Sequence, residues 1–304
     1  MEKGIANPKS DDLFKRIFGS IRNQDIIKSF LLSVLDFPEE EYDEIQILDP
    51  VLPPQGLDSK KGVPDIMIKT KNNKIIILEM QLKKYPGMEK RILFYLSYSF
   101  ISQLEEGNEY HLLNEVAAVV ILNYIYFKEK PDYHNGFGVL HRKYGTALGE
   151  LFDVHFIELP KLPRVSDGSV LWDWLKFLTC ETEEELDMIA KKSPELEKAS
   201  KEVKGFTRGQ IARIRKFQKL ILDMDDKMIK RALREEAKEE GKIEGKIEGK
   251  IEGKIENQRE TIKNAVNLGL PLHIISALSG LPEPEVTILI AEVKAENPGI
   301  GLVP

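Results

Sequence analysis

The sequence predicts an α/β fold in which helices flank a mixed sheet, followed by an all-helical C-terminal half. Short apolar runs typical of strands alternate with helical patterns up to residue 159, and only helical patterns follow. A four-residue repeat then interrupts the helical half. We therefore expect four segments: a sheet domain over residues 1–163, a helical region with one long helix over 164–240, the repeat over 241–256, and a small three-helix module over 257–304.

Two helices and a strand are expected first. Residues 10–19 and about 25–35 have apolar side chains at helical spacing, and residues 44–48 alternate as a strand does. Asp11 and Asp12 begin the first helix, where acidic side chains stabilise the helix dipole.

A β-hairpin is expected between Val63 and Gln81. Two apolar runs, 63–68 and 75–81, flank Asn72-Asn73, which is typical of a hairpin turn. The second run is almost wholly apolar, as in strands that are buried on both faces.

This hairpin carries two carboxylates, Asp65 and Glu79. Burying a carboxylate is costly unless something compensates its charge, and a divalent cation is the natural candidate. Glu79 and Gln81 project from one face because side chains alternate along a strand. A regular two-residue turn would place Asp65 opposite Met80, on the other face. The metal site therefore requires an odd-length loop or a bulge that brings Asp65 opposite Glu79 or Gln81.

Asp65, followed after a short hairpin by Glu79-Met80-Gln81, resembles the signature of PD-(D/E)XK nucleases, with Gln81 where lysine is usual. Two further stretches, Asp11 to Gly19 and Tyr95 to Tyr110, resemble the Rpn branch more closely. Its members are recombination-promoting nucleases, also described as PD-(D/E)XK family transposases. The resemblance covers about residues 7–160 and the repetitive tail. It implies a restriction-endonuclease-like sheet domain and a DNA endonuclease linked to recombination or transposable elements.

The resemblance also implies the chemistry of the site. Asp65 and Glu79 would bind Mg²⁺ or another divalent cation, and Gln81 would orient the attacking water or the scissile phosphate. In this fold an early helix often brings a further acidic residue to the metal, and Asp11 or Asp12 could do so, but helix capping is the simpler interpretation. No small-molecule cofactor is expected. Because glutamine can hydrogen-bond but carries no charge, the alternative is a nuclease-derived DNA-binding or assembly protein with little activity. A structural role also stays open, in which Glu79 pairs with a core lysine or a carboxylate is solvated at a strand end.

Three more elements complete the expected sheet domain. They are a helix over residues 88–104, a strongly apolar strand over 116–122 and a shorter strand over 154–159. Between the strands, His134-Asn135 and the later His141 resemble part of an HNH nuclease site, but we interpret this segment as a loop. Before the hairpin, Lys60 and Lys61 could contact phosphates, although surface lysines usually contact only water.

Helix signals dominate the second half of the chain. Residues 170–179 predict an apolar helix, and further helices are expected to start at Thr182, at Ser193-Pro194 and at Thr207. The last of these is expected to run to about residue 240.

The tetrapeptide Gly-Lys-Ile-Glu repeats over residues 241–256. On a helix, the glycines form one stripe and the isoleucines another, each turning about 40° per repeat. Each glycine costs about 1 kcal/mol relative to alanine, so this helix is weak alone. We expect a helix, stabilised in a homodimer through the C-terminal half, with a flexible spacer as the alternative. The module after residue 257 resembles a helix-turn-helix, but its acidic second helix favours assembly over DNA binding.

Composition limits the partners. The formal net charge of −6 leaves DNA binding to local basic patches. The single cysteine, Cys180, excludes a disulfide framework within the chain and favours a reducing, cytoplasmic setting. We expect no secretion signal, since the N-terminus lacks a basic segment followed by an apolar run. We expect no membrane partner, since no apolar run is long enough to span a bilayer.

Overall fold

The computed structural model describes residues 5–35, 38–50, 63–104, 109–149, 151–206 and 208–296. The lysines that could contact phosphates, Lys60 and Lys61, lie outside the described residues. The expected helix start at Thr207 lies outside them as well. The chain divides into two compact units, Met1–Ile229 and Lys230–Pro304.

A mixed sheet forms the centre of the first unit. Its six described strands lie in the order β1-β2-β3-β4-β6-β5. The pairs β3–β4 and β4–β6 are parallel, and the other pairs are antiparallel. This arrangement confirms the predicted fold class. The strands are β1 (Gln46–Leu48), β2 (Ile66–Lys69), β3 (Ile75–Gln81), β4 (Val116–Leu122), β5 (His134–Gly138) and β6 (Phe152–Glu158).

Helices cover both faces of this sheet, because side chains on both faces are apolar. The helices are α1 (Asp11–Phe18), α2 (Gln24–Leu32), α3 (Met88–Ile101), α4 (Val170–Thr179), α5 (Glu183–Ala190) and α6 (Pro194–Lys204). Short 3₁₀ turns are Ile21–Asn23, Glu39–Tyr42, Tyr110–Leu112 and Leu159–Lys161. The long helix α7 (Arg208–Asn267) starts in the first unit and ends in the second.

The larger core lies between the sheet and α1, α2 and α4–α6. Phe18 contacts Phe30 and Trp174, with ring centroids 5.3 and 5.7 Å away. Trp174 belongs to α4, so the helices after residue 163 pack in the same core as those before the sheet. The boundary expected at residue 163 therefore does not separate two cores. The smaller core lies between the opposite sheet face and α3.

The β2–β3 turn has the odd length that the site requires. Lys69 pairs with Ile75, so residues 70–74 form a five-residue loop. Within it, the Asn73 amide donates to the Thr70 carbonyl at 3.0 Å. Asn73 has a φ of 63°, in the left-handed region that asparagine tolerates better than most residues.

Strand β5 corrects one prediction. We interpreted the segment around His134-Asn135 as a loop, but residues 134–138 pair antiparallel with β6 at the edge of the sheet. The segment contains Gly136 and Gly138 and is exposed along much of its length. It therefore lacks the apolar alternation by which a half-buried strand is recognised, and pairing with β6 overrides its weak local preference.

The second unit contains the rest of α7 with α8 (Leu272–Ser279) and α9 (Glu283–Glu296). Gly269 and Gly280 adopt left-handed φ values of 68° and 67° and end α7 and α8. The repeat is helical as expected, and its isoleucines are 51–55% exposed. Among the described residues, no single helix is long and apolar enough to span a membrane. Helix α8 and most of α9 reach that length and composition only when taken together, and a 98° bend separates them.

Candidate active site

The hairpin brings the three predicted site residues together at one end of β3. Ile66 pairs with Leu78, so Asp65, the residue before it, falls opposite Glu79. The Met80 amide donates a hydrogen bond of 2.8 Å to Asp65 Oδ2, which fixes that carboxylate against β3. Gln81 Nε2 donates to Glu79 Oε2 at 3.0 Å. The arrangement with Asp65 opposite Met80, which would have excluded the site, does not occur.

The two carboxylates differ in their exposure to water. Glu79 is fully buried in the central strand, whereas the Asp65 side chain is 16% exposed. Residues of the same parity on β3, Ile75 and Ile77, pack in the core that contains α3. Alternation along β3 therefore turns Glu79 and Gln81 towards the α3 layer.

Two cations approach the carboxylates from different helices. On α3, Arg91 Nη2 lies 3.6 Å from Glu79 Oε1. Its Nε donates to Tyr95 Oη at 2.8 Å, and its guanidinium lies 5.3 Å from the centre of the Tyr95 ring. On α1, Lys15 Nζ lies 3.8 Å from Asp65 Oδ1. Each carboxylate thus has a separate cation nearby, but neither cation is within hydrogen-bond distance.

Burial and mutual repulsion make the carboxylates hard to ionise. Burial first, and the charge of Asp65 second, raise the pKa of Glu79 to about 8, although Arg91 opposes the change. Burial also raises the pKa of Asp65, while the Met80 amide and Lys15 act in the opposite direction. Burial alone would lower the pKa of Lys15, but Asp11, Asp65 and Glu79 raise it above its ordinary value. This balance is typical of carboxylates that lack a full complement of positive charge.

The donor set fits a magnesium-like ion better than a transition metal. Within the described ranges, no group of three or more His, Cys, Asp or Glu side chains is arranged to hold a metal. Mg²⁺, however, commonly takes one or two carboxylates and keeps several waters. Asp65 and Glu79 supply two carboxylates, and Glu79 Oε1 is buried without a hydrogen bond. The residues present therefore fit a hard divalent cation.

The acidic residues of α1 have different environments. Asp11 Oδ1 lies 2.8 Å from Lys15 Nζ, one helical turn away, and its charge contributes to the raised pKa of Asp65. Asp12 is exposed. Asp11 therefore acts on the site through Lys15 and through its field, and its direct contact is an ion pair on the helix.

The histidines do not assemble an HNH-like site. His134 Nε2 lies 2.7 Å from His155 Nδ1, and His155 Nε2 lies 2.8 Å from Asp153 Oδ2. These contacts form a chain of hydrogen bonds between β5 and β6. His141 Nδ1 accepts from two backbone amides of its own turn.

Sequence reasoning did not assign Lys15 or Arg91 to the site. Lys15 lies on a helix far before the hairpin and Arg91 on the helix that follows it, and only the packing of α1 and α3 on the sheet brings them near Asp65 and Glu79. A weak signal existed, since Lys15 lies inside the Asp11–Gly19 stretch that carries part of the family resemblance.

The family model of the PD-(D/E)XK nuclease family transposases matches residues 8–232, which is most of the chain. The chain belongs to the PD-(D/E)XK nuclease family transposases. This confirms the family suspected from Asp65, Glu79 and Gln81, and it supports a nuclease-like, transposase-associated function. No curated protein and no solved structure matches the chain.

Proposed function

We propose that the protein is a metal-dependent DNA endonuclease whose metal is held by Asp65 and Glu79. The observation that carries the proposal is the placement of Asp65 opposite Glu79, with both cations more than 3.5 Å away. Two close carboxylates without a contacting cation lack positive charge that a divalent ion would supply, and the ion would replace the proton that the raised pKa of Glu79 retains. Membership of the PD-(D/E)XK nuclease family transposases supports the same conclusion and a link to recombination or mobile DNA.

Each residue has a distinct role in this mechanism. Asp65 and Glu79 would hold the ion through carboxylate oxygens, and the Met80 amide keeps Asp65 in place. Gln81 is anchored to Glu79 through its Nε2, so its amide oxygen can accept a hydrogen bond from the attacking water. Arg91 limits the repulsion between the carboxylates. When bound, a divalent cation polarises the phosphodiester and lowers the pKa of a water.

A local basic surface supports DNA as the substrate. A groove of about 360 Å³ on α7 is lined by three basic residues, one apolar residue and one acidic residue: Arg213, Lys216, Lys219, Leu220 and Asp223. Lys83, two residues after Gln81, holds α7 through Asp226 Oδ1 at 2.6 Å. Positive charge on this helix would contact phosphates with little sequence preference.

Plasmid cleavage tests the proposal. The full-length chain is incubated with supercoiled plasmid and Mg²⁺, beside Asp65→Ala and beside Asp43→Ala, which removes an exposed carboxylate that is ion-paired to Lys28. We expect nicked and linear products from the wild type and Asp43→Ala, but not from Asp65→Ala. Equal, slow conversion by all three would favour the alternative, a nuclease-derived DNA-binding or assembly protein.

We also propose a homodimer that forms through the C-terminal half and acts in the cytoplasm. The exposed isoleucines of the repeat, Ile243, Ile247, Ile251 and Ile255, support it. Two sites in one dimer would allow both DNA strands to be cut. Light scattering of the full-length chain at micromolar concentration should give the dimer mass, and Ile247→Glu with Ile251→Glu should lower it. A monomeric wild type would contradict the proposal.

A further inference from the structure

Position 81 lacks the charge that the PD-(D/E)XK signature usually places there. Gln81 is neutral, and its Nε2 already donates to Glu79 Oε2 at 3.0 Å. The extra negative charge that develops on an attacked phosphate needs a positively charged or strongly donating partner. If the proposed function holds, another residue has to supply that partner.

Lys15 is placed to supply it. Its Nζ lies 3.8 Å from Asp65 Oδ1, on the side of the site that α1 forms. Its side chain is 39% exposed, so the ammonium is accessible to a substrate in solution. Asp11, one turn earlier on α1, accepts from the ammonium at 2.8 Å and keeps the side chain directed along the helix towards the site.

Arg91 is the other cation near the carboxylates, but it is less free to move. Tyr95 holds it twice, through the 2.8 Å hydrogen bond to Nε and through the ring beneath the guanidinium. It faces Glu79, which is fully buried. Lysine has a flexible four-carbon stem and a compact ammonium with three donors, so the Lys15 ammonium can turn from its position 3.8 Å from Asp65 and donate a hydrogen bond to a phosphate oxygen.

We propose that Lys15 contacts the scissile phosphate and supplies, from α1, the charge that lysine supplies from position 81 elsewhere in the PD-(D/E)XK nucleases. This rests on the proposed endonuclease function. In the free protein, Lys15 partly neutralises Asp65. When a cation occupies Asp65, the ammonium turns to a phosphate oxygen and stabilises the developing charge by hydrogen bonding, without giving up its proton.

Four variants of the full-length chain test this contact by plasmid cleavage in Mg²⁺. Lys15→Met removes the charge, and Lys15→Met with Gln81→Lys returns it to the usual position. Lys28→Met is the matched control, because it also removes a lysine–aspartate pair, with Asp43 at 3.0 Å. Asp65→Ala reports whether cleavage depends on the proposed metal site.

We expect Lys15→Met to lower the cleavage rate about 100- to 1000-fold, and Lys28→Met to stay within about threefold of wild type, as a surface pair should. Adding Gln81→Lys to Lys15→Met should raise the cleavage rate at least about tenfold. If Lys15→Met cleaves like Lys28→Met, or if Gln81→Lys restores nothing, the inference is wrong and the endonuclease proposal stands. If the wild type cleaves no better than Asp65→Ala, both are wrong.

Calorimetric titration with Mg²⁺ alone separates phosphate contact from positioning of Asp65. Because Lys15 competes with the ion for Asp65, Lys15→Met should bind Mg²⁺ at least as tightly as wild type. Loss of Mg²⁺ binding in Lys15→Met would mean that the lysine only positions Asp65, which would overturn the inference.

Discussion

A pair of carboxylates lies at each end of the β2–β3 hairpin, but the two pairs differ in how closely a cation approaches them. At the turn, Lys74 Nζ lies 3.0 Å from Glu41 Oε1 and 2.5 Å from Glu115 Oε2, so one lysine contacts both acids. At the other end, Asp65 and Glu79 have separate cations at 3.8 and 3.6 Å. A buried carboxylate oxygen without a hydrogen bond occurs at both ends, on Glu41 and on Glu79.

An unsatisfied oxygen is therefore not enough to identify a metal site in this protein. The distance of the cation distinguishes the two ends. Lys74 is only 14% exposed and is in direct contact with its partners. The turn cluster of Lys74, Glu41 and Glu115 therefore has its negative charge balanced internally, and it stabilises the hairpin. The cations near Asp65 and Glu79 lie farther away, which leaves charge for a ligand to neutralise.

The largest expected difference between the two ends is in catalysis. Asp65→Ala should lower plasmid cleavage by more than about 1000-fold, because it removes a proposed metal ligand and leaves Glu79 alone. Glu115→Gln, at the turn end, should keep the rate within about threefold of wild type. Initial rates at saturating Mg²⁺ measure both. A large loss of rate in a well-folded Glu115→Gln variant would mean that the turn cluster takes part in the chemistry.

Substitutions at Gln81 should have an intermediate effect. Gln81→Ala should lose about 10- to 1000-fold in rate, as expected when one positioned polar group is removed. Gln81→Lys should retain or raise the rate, because it places a charge where the signature usually has one. The same plasmid assay gives the order Asp65→Ala worst, Gln81→Ala intermediate and Gln81→Lys mildest. If Gln81→Ala matched the wild type, Gln81 would have no role in the reaction.

The pH dependence of stability should distinguish the ends without any substrate. The folded protein raises the pKa of Glu79 from its ordinary 4.5 to about 8, so it binds a proton that the unfolded chain has lost between these values. The free energy of unfolding without metal should therefore fall as pH rises from about 4.5 to 8, by at most about 1.4 kcal/mol per unit from this group. Urea denaturation in chelator, wild type against Glu79→Gln, measures this contribution.

Mg²⁺ provides the control for that experiment. Because the ion binds the ionised carboxylates, it should restore stability above pH 8 in the wild type but much less in Glu79→Gln. If the free energy of unfolding in chelator changes between about pH 4.5 and 8 by the same amount in the wild type and in Glu79→Gln, the raised pKa of Glu79 is contradicted.

Removing the turn lysine should affect stability alone. Lys74→Met leaves Glu41 and Glu115 without their cation and should cost about 3 kcal/mol, as when one partner of a buried pair is lost. Lys15→Met, at a 39% exposed side chain, should cost less than about 1 kcal/mol. Thermal denaturation compares them, with cleavage measured per folded molecule. An equal loss of stability in both variants would remove the distinction between the ends.

Where a segment's own side chains determine its structure, the sequence predicted it well. Strand β4 and helix α4 have the predicted bounds of residues 116–122 and 170–179, because unbroken apolar runs or helical spacing leave little choice. The placement of the candidate residues Asp65 and Glu79 opposite each other could likewise be predicted, since hairpin register is a local property. The odd-length loop that their shared face required is present.

The missed features depend on contacts between separate helices and strands. Strand β5 exists because β6 pairs with it, and its glycines give no local pattern. Lys15 and Arg91 reach the carboxylates because α1 and α3 pack on opposite sides of the hairpin, and no spacing in the sequence encodes that approach. The core that α4–α6 share with α1 and α2 could not be predicted for the same reason.

The five-residue loop over residues 70–74 also constrains how this gene can change length. Deleting or inserting one residue there would shift β2 against β3 by one position and turn Asp65 to the opposite face, unless a bulge absorbed the change. Deleting or inserting two residues would preserve the face. Indels that survive in this turn should therefore come in even numbers of codons, which distinguishes it from ordinary surface loops, where any small length change is tolerated.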